Sequence, residues 1–471
     1  MNDNPTALDL SEAARLIREG TLTSEAAVQA CLERIETWQP SRNCFIQINA
    51  ERALAAARLR DKELAAGRQR GPLHGVPIAN KDMFYEAGEI CTAGSAIRKN
   101  WRASTTSAVV ERLEAAGAVL VGTLNMAEFA AGPTGHNMHF GDCRNAFHPD
   151  YISGGSSSGS AVAVAARLIF GSVGSDTGAS IRVPAAANGV LGLKPTYGSI
   201  SRYGAVPRSW SLDHIGPMAR TAADCAILMH VLAGRDVRDP STMAQPPVDY
   251  GSMLGFPVDG LRIGMALPDS SVPVDDVVAG CVEETAKLLR SGGAVISSTT
   301  LPDLAPLFFA AETIIKCEAA ALHREWFESR KNEYGKQLQA RLQPGYFIPA
   351  TQYIDALRLR EHFATHFIAT TMDKIDALVL PVLPVPVPTL AETDGDGDVP
   401  GVRALISRLT ALTRPFNLLG FPALSIPAGF CATGLPIGVQ LVSRPFHEPL
   451  LLRVADWLLQ RTHANRVEPL L

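Results

Sequence analysis

What the chain has little of narrows its possibilities first. Only 19% of its 471 residues are charged, the formal net charge is −4, and neither a Lys/Arg block nor an acidic tail is present. Binding nucleic acid through a general positive field needs the opposite balance, so no nucleic-acid partner is expected. A membrane-spanning helix needs about 18 or more consecutive apolar residues, and no such run is free of charge and proline. The most apolar stretch, residues 377–387, is interrupted by Pro381, Pro384 and Pro386, so no membrane association is expected. The opening MNDNPTALDL has neither the basic nor the apolar region of a secretion signal, which makes the cytoplasm the expected compartment. The eight cysteines, at 31, 44, 91, 143, 225, 281, 317 and 431, include no CxxC. In a large chain without a signal they read as free thiols in or near the core.

What is present is apolar residue in quantity, 46%, enough for a large core. Residues 7–66 read as helical, with Val28, Cys31, Leu32 and Ile35 on one face. Residues 76–79 then read as a short buried strand leading to Lys81. Residues 104–116 read as a helix stopped by Gly117, with a strand at 118–121. Further on, helices are expected at 161–167, 281–291, 307–333, 351–372 and 450–461. Strands are expected at 168–173, 375–380, 422–426 and 437–442, and a polar Gly/Asp loop at 391–400. This alternation implies an α/β protein, a sheet covered by helices. One unit spanning 1–471 is expected, with its core at about 60–300 and 370–460 and a helical variable segment at about 305–365.

The densest chemical signal is SGGSSSGSAVAVAARLIFGSVGSDTGASIRVPAAANGVLGLKPTYG, residues 153–198. Glycine reaches backbone conformations closed to other residues, and such loops can aim several N–H groups at one point. A converging set of donors suits a phosphate or an oxyanion. The phosphate reading fails because neither GxxxxGK[ST] nor GxGxxG is there. A flexible linker fails too, because Ala, Val, Leu and Ile fill the positions between the Gly and Ser residues.

This segment resembles the amidase signature, and the resemblance extends to GVPIANKD (75–82), NMAEFA (125–130), RPFNLLGFPALSIPAGF (414–430) and GLPIGVQLV (434–442). Together these cover nearly the whole chain in one order. The resemblance implies an α/β/α sandwich with a large mixed central sheet and helices on both faces. Carried over position by position, it implies a catalytic lysine at Lys81, a cis-bonded bridging serine at Ser156 and the nucleophile at Ser180. Backbone N–H groups of Thr177, Gly178, Ala179 and Ser180 would form the oxyanion hole. Ser157, Asp176 and Arg182 would brace the loop, and Asn125, Met126 and Gly132 would line the substrate side, with core packing an equal reading for these three. No cofactor or metal is implied. Homodimers are common in that family, and nothing in this sequence specifies one.

The chemistry is coherent on physical grounds. A serine hydroxyl needs an adjacent base, and a neutral lysine can be one. Lysine ordinarily titrates near pH 10.4, and burial lowers that value. Lys81 follows VPIAN, an expected buried strand. Ser156 would then relay a proton from Ser180 to Lys81 and return it to the leaving nitrogen.

Some residues depart from the family pattern. Ala179 stands where a second Gly is usual, Ser153 where Pro is common, Ser158 where Gly is common, and Thr123 where Lys is frequent. If position 179 needed a positive φ, alanine would cost about 1 kcal/mol; with a negative φ its methyl would narrow the acyl pocket. Gly155-Ser156-Ser157-Ser158-Gly159 also fits the GxSxG elbow of a Ser-His-Asp enzyme; spacing alone leaves that open, and the GASIR and lysine motifs decide against it. His136/His139 and His362/His366 have metal-pair spacing but lack the HExxH glutamate. Asp394, Asp396 and Asp398 imitate an EF-hand start, but Val399 stands where glycine is required.

The expected function is therefore an amidohydrolase on a small carboxamide, carbamate or urea-like substrate. The alternative is the glutamine-hydrolysing component of a tRNA-dependent amidotransferase complex. Tyr203, Trp210, Phe308, Phe309, Tyr346 and Phe347 suggest room for an aromatic or apolar acyl group, which core packing explains equally well.

Overall fold

The computed structural model describes residues 4–242, 248–267, 272–394 and 400–471. Its strands are β1 (Phe45–Ile48), β2 (Pro77–Lys81), β3 (Val119–Leu124), β4 (Gly171–Asp176), β5 (Leu191–Lys194), β6 (His214–Ala219), β7 (Arg262–Met265), β8 (Val295–Ser298), β9 (Ala377–Pro381), β10 (Ala423–Phe430) and β11 (Pro436–Ser443). They form one eleven-stranded sheet in the order β1-β3-β2-β4-β6-β5-β10-β11-β9-β7-β8. The sheet is mixed. β2 runs parallel to both β3 and β4, the strands from β4 through β6, β5, β10 and β11 to β9 pair antiparallel, and β9, β7 and β8 run parallel.

Successive strand residues point to opposite faces, and here both faces are buried. Ala377 and Val379 of β9 join one apolar cluster, and Leu378 and Leu380 join another. The same holds in β2, where Ile78 and Ala79 belong to different clusters. Helix Glu448–Thr462 supplies Leu451, Leu452 and Val454 to the first cluster. Helices Leu304–Ser329 and Ala350–Thr370 supply Ile314 and Phe367 to the second. The expected sandwich, a mixed sheet between helical layers, is the observed architecture.

The differences from the sequence reading are local. Residues 7–66 are not continuous helix. Helices Leu10–Arg18, Ser24–Arg42 and Ala50–Ala65 are interrupted by β1, which the chain enters through Asn43 at φ 50°. The strand expected at 168–173 lies at 171–176, because residues 168–170 still belong to the bend out of helix Ser158–Ala165. Within the expected 391–400 loop, Leu390–Thr393 is a helical turn closed by a capping box between Thr389 and Glu392. Asp396, Asp398 and Val399 lie outside the described residues. All eight cysteines are free, five of them buried.

Helix Ser158–Ala165 positions the site and is buried along its whole length. Its small residues let it approach other backbone closely. A Cβ at Gly159 would lie 2.2 Å from the carbonyl oxygen of Cys44 and 2.6 Å from the backbone nitrogen of Asn125. Neither backbone atom can yield as a flexible side chain would. Gly159→Ala is therefore expected to destabilise the protein by at least ~2 kcal/mol, read from the midpoint of urea unfolding. An unchanged midpoint would mean that the helix can shift without loss.

Candidate active site

β2 ends on Lys81, which is wholly buried. Its Nζ lies 2.7 Å from Oγ of Ser156 and 2.9 Å from Oγ of Ser175, and both serines are buried. Among the described residues Lys81 forms no ion pair. Burial pushes its pKa down to about 7; Asp213 and Asp176 oppose the shift, and the positive charge of Arg208 adds to it. An amine in these surroundings can be neutral near neutral pH, as a base must be.

Ser156 follows a cis peptide bond from Gly155. The next residue ties the two serine loops together. Ser157 N–H donates to the carbonyl of Ser180 (3.2 Å), and its hydroxyl bridges the backbone of Ser175, donating to the carbonyl (3.2 Å) and accepting from N–H (3.3 Å).

Ser180 sits at the end of β4's loop, 8% exposed, on the wall of a cavity of about 370 Å³. Thr177, Gly178 and Ala179 line the same wall. None of the four backbone N–H groups from 177 to 180 has an acceptor among the described residues. Buried N–H groups are nearly always paired, so four unspent donors beside one hydroxyl are unusual and can donate to a ligand oxygen. Ala179 has no positive φ, so the alanine carries no left-handed strain there.

This loop is held by a buried ion pair. Arg182 Nε and Nη2 donate to the Asp176 carboxylate at 3.0 and 3.1 Å, with both side chains fully buried. Asp176 also accepts from the N–H groups of Ile181 (3.1 Å) and Arg182 (3.3 Å), closing the turn around Ser180. The remaining Arg182 hydrogens go to the Thr413 carbonyl (2.8 Å), Gln440 Oε1 (3.2 Å) and Asn417 Oδ1 (2.6 Å). Despite the cost of burial, Arg182 and these hydrogen bonds hold the Asp176 carboxyl well below the usual carboxylate range.

Other expectations need correction. Asn125 and Met126 do not reach the cavity. The Asn125 amide donates to the carbonyls of Asn43 (2.9 Å) and Gly141 (3.1 Å) and its oxygen accepts from Met126 N–H (2.8 Å), while Met126 packs in the core. A short polar side chain spent on three backbone groups has nothing left for a ligand. Gly132 does line the cavity. None of Tyr203, Trp210, Phe308, Phe309, Tyr346 and Phe347 lines it; Tyr203 and Trp210 face a separate cavity, and Phe309 and Phe347 are exposed. His136 bonds Thr393 Oγ1 (3.0 Å) and lies 3.0 Å from Asp142, and His139 bonds Glu128 (2.9 Å). His362 and His366 stack on an exposed helix face. Among the described residues no three or more His, Cys, Asp or Glu side chains cluster to hold a metal, and no helix is long and apolar enough to cross a membrane.

Sequence reasoning missed Ser175, Asn417, Gln440 and Thr413, whose hydroxyl donates to the Gly178 carbonyl (2.8 Å). It also missed the charged lining of the cavity, which includes Arg208, Glu312, Lys316, Arg341 and Arg414. Ser175 was within reach, because it is a hydroxyl on the strand beside β2. The others come from segments far away in the chain.

The amidase family profile matches residues 26–452. The chain is 38% identical over 490 residues to the A-type component of the glutamyl-tRNA(Gln) amidotransferase of Azotobacter vinelandii, covering 98% of this chain and 99% of that one. The peptide amidase of Stenotrophomonas maltophilia superposes with a TM-score of 0.84 at 31% identity, covering 98% of each chain. The 6-aminohexanoate cyclic dimer hydrolase superposes with a TM-score of 0.90 at 27% identity, covering 98% of this chain and 99% of that one.

Asp176→Ala leaves the Arg182 guanidinium buried without its counter-charge. A loss of about 3–5 kcal/mol is expected from breaking one side of such a pair, measured by denaturant unfolding. A loss below ~1 kcal/mol would show that Asn417 and Gln440 hold Arg182 alone.

Proposed function

The chain belongs to the amidase family, hydrolases of C–N bonds, and from that premise we propose that it cleaves a small amide through an acyl-enzyme on Ser180, with Ser156 and Lys81 as the proton relay. The observation that carries this reading is the 2.7 Å contact between Lys81 Nζ and Ser156 Oγ, beneath a serine flanked by unspent backbone donors.

Neutral Lys81 accepts the Ser156 proton as Ser156 accepts the Ser180 proton. Ser180 Oγ then bonds to the substrate carbonyl carbon, and the carbonyl π pair moves onto oxygen. N–H groups of residues 177–180 stabilise that oxyanion. As the tetrahedral centre collapses, the C–N bond breaks, the nitrogen takes the proton of Ser156, and Ser156 recovers one from the Lys81 ammonium. Water repeats the sequence on the ester and restores Ser180. Ser175 accepts a hydrogen bond from Nζ (2.9 Å), which orients the lysine lone pair toward Ser156.

A second reading, release of ammonia from glutamine to a partner enzyme, is favoured by the 38% identity to the amidotransferase component. The same relay serves it. Ammonia or amine release from a panel of amides, carbamates, ureas and glutamine separates the two. Turnover of a non-glutamine amide by the isolated chain supports the first, and turnover of glutamine alone supports the second.

Ser180→Ala is expected to lower kcat by roughly 10³-fold or more and to abolish the covalent acyl adduct seen by mass spectrometry. Unchanged turnover would remove Ser180 as nucleophile. The pH profile follows from the lysine. The base acts unprotonated, so kcat/KM is expected to climb with pH up to an inflection at about 7 and level off above it. Lys81→Met should remove that inflection along with most of the rate. A profile flat from pH 5 to pH 9 in the wild type would exclude Lys81 as base.

A further inference from the structure

The cavity beside Ser180 is lined by cations for which the relay has no use. Arg208, Lys316, Arg341, Arg403 and Arg414 face it, and Glu312 is the carboxylate among them. Glu312 is already shared between Lys316 Nζ (2.7 Å) and Arg414. The Arg208 guanidinium forms no hydrogen bond or ion pair among the described residues, and its Nη1 is buried without an acceptor. The carboxylate nearest to it along the chain, Asp213, is engaged by neutral donors: Arg208 N–H (2.9 Å), Ser209 N–H (3.0 Å) and the Thr177 hydroxyl (2.6 Å).

Two of the other arginines lean on the loops that flank the nucleophile. A Cβ at Gly178 would lie 3.1 Å from Arg414 Nε, itself buried without an acceptor, and a Cβ at Gly132 would lie 3.0 Å from Arg341 Nη1. Arg341 Nη1 donates to the Ala131 carbonyl. Burial pushes Arg208 and Arg341 down to about 10; Asp213 and Glu312 oppose the shift on Arg208 and Glu312 that on Arg341, while Arg414 adds to both and Arg208 to that on Arg341, so both stay charged at neutral pH. A desolvated guanidinium that no carboxylate contacts is costly, even with Asp213 and Glu312 at longer range. An anion that enters the cavity removes that cost and gains paired, charge-assisted hydrogen bonds.

We propose that the substrate is an amide that also carries an ionised carboxylate, which Arg208 and Arg341 bind in the cavity beside Ser180. This rests on Ser180 as nucleophile and names the substrate class for that site. A carboxylate is planar and fits the donor edge of a guanidinium, and the cavity of about 370 Å³ holds a short acyl chain with one.

The test is protection of Ser180 from a neutral fluorophosphonate, followed by mass spectrometry of the intact chain. Succinamate and glutaramate carry the carboxylate on the acyl side, and N-acetylglycine carries it on the leaving side. Succinamide, glutaramide and N-acetylglycinamide are their uncharged counterparts. At least one carboxylated compound is expected to slow labelling about tenfold or more at a concentration where its uncharged counterpart has no effect. The pair that discriminates reports on which side of the scissile bond the charge sits. Arg208→Met should abolish the discrimination, and Arg208→Lys, which keeps the charge, should retain part of it. Equal protection by the uncharged compounds, no protection by any carboxylated one, or discrimination that survives in Arg208→Met would each overturn the proposal. Failure of Ser180 to label without any ligand is a different result: it overturns the nucleophile assignment and takes this proposal with it.

Discussion

An ammonium group buried without a carboxylate is the constraint on which the site depends. Lys81 lies at the end of a strand enclosed on both faces, and its two polar contacts are serine hydroxyls. A carboxylate in contact would have fixed it as a permanent cation. Hydroxyls accept its hydrogens without doing so. The more distant charges of Asp213 and Asp176 offset part of the desolvation, and the outcome is an amine that titrates near neutrality. The parallel pairing of β2 with both β3 and β4 supplies the burial, so the sheet's interior, rather than a specific partner, lowers the lysine's hold on its proton.

The loop that carries Ser180 poses the opposite problem. Asp176 and Arg182 remain charged inside the protein because every strong donor and acceptor is taken, by each other and by Thr413, Asn417 and Gln440. Those three partners come from the C-terminal part of the chain. Gln440 lies on β11, and its amide also donates to the carbonyls of Pro381 (3.0 Å) and Leu412 (2.8 Å). The network therefore connects the β4 side of the sheet to the β9–β11 side. It fixes the backbone of residues 177–180 from below and leaves their N–H groups free above. Networks of this kind hold one geometry firmly when each member is satisfied.

Some candidate residues carry short-range marks. Ser156 and Ser180 stand in dense Gly/Ser stretches and Lys81 in GVPIANKD, and the structure brings Lys81 against Ser156 and ties the Ser156 loop to Ser180. Long helices such as Leu304–Ser329 and Ala350–Thr370 were legible from their period. Short strands were not. β5, β7 and β8 have four residues each, too few for a period to show, and β6 reads HIGPMA, with Gly and Pro in a strand buried at every position. β1 was hidden between two helical stretches of similar composition. Asn125 was misplaced for another reason. A polar residue in a motif suggests a ligand, and only the fold reveals that its amide is consumed by Asn43 and Gly141. The cavity's cations were invisible because they come from residues 208, 316, 341, 403 and 414, which share no motif and meet only in the fold.

The two halves of the site are coupled electrostatically. Arg208 faces the cavity, and its charge also disfavours the protonated form of Lys81. An anion bound at Arg208 would cancel part of that influence and move Lys81 toward the ammonium form. A site that relied mainly on Arg208 to keep the lysine neutral would then lose its neutral amine each time such a ligand entered. Here burial is the largest cause of the shift and Arg208 the smallest of the four. Burial does not depend on what occupies the cavity, so a lysine made basic by desolvation can work beside a pocket whose charge changes as it fills. That ordering of causes is what permits a cationic cavity and a neutral amine to share one small volume of protein.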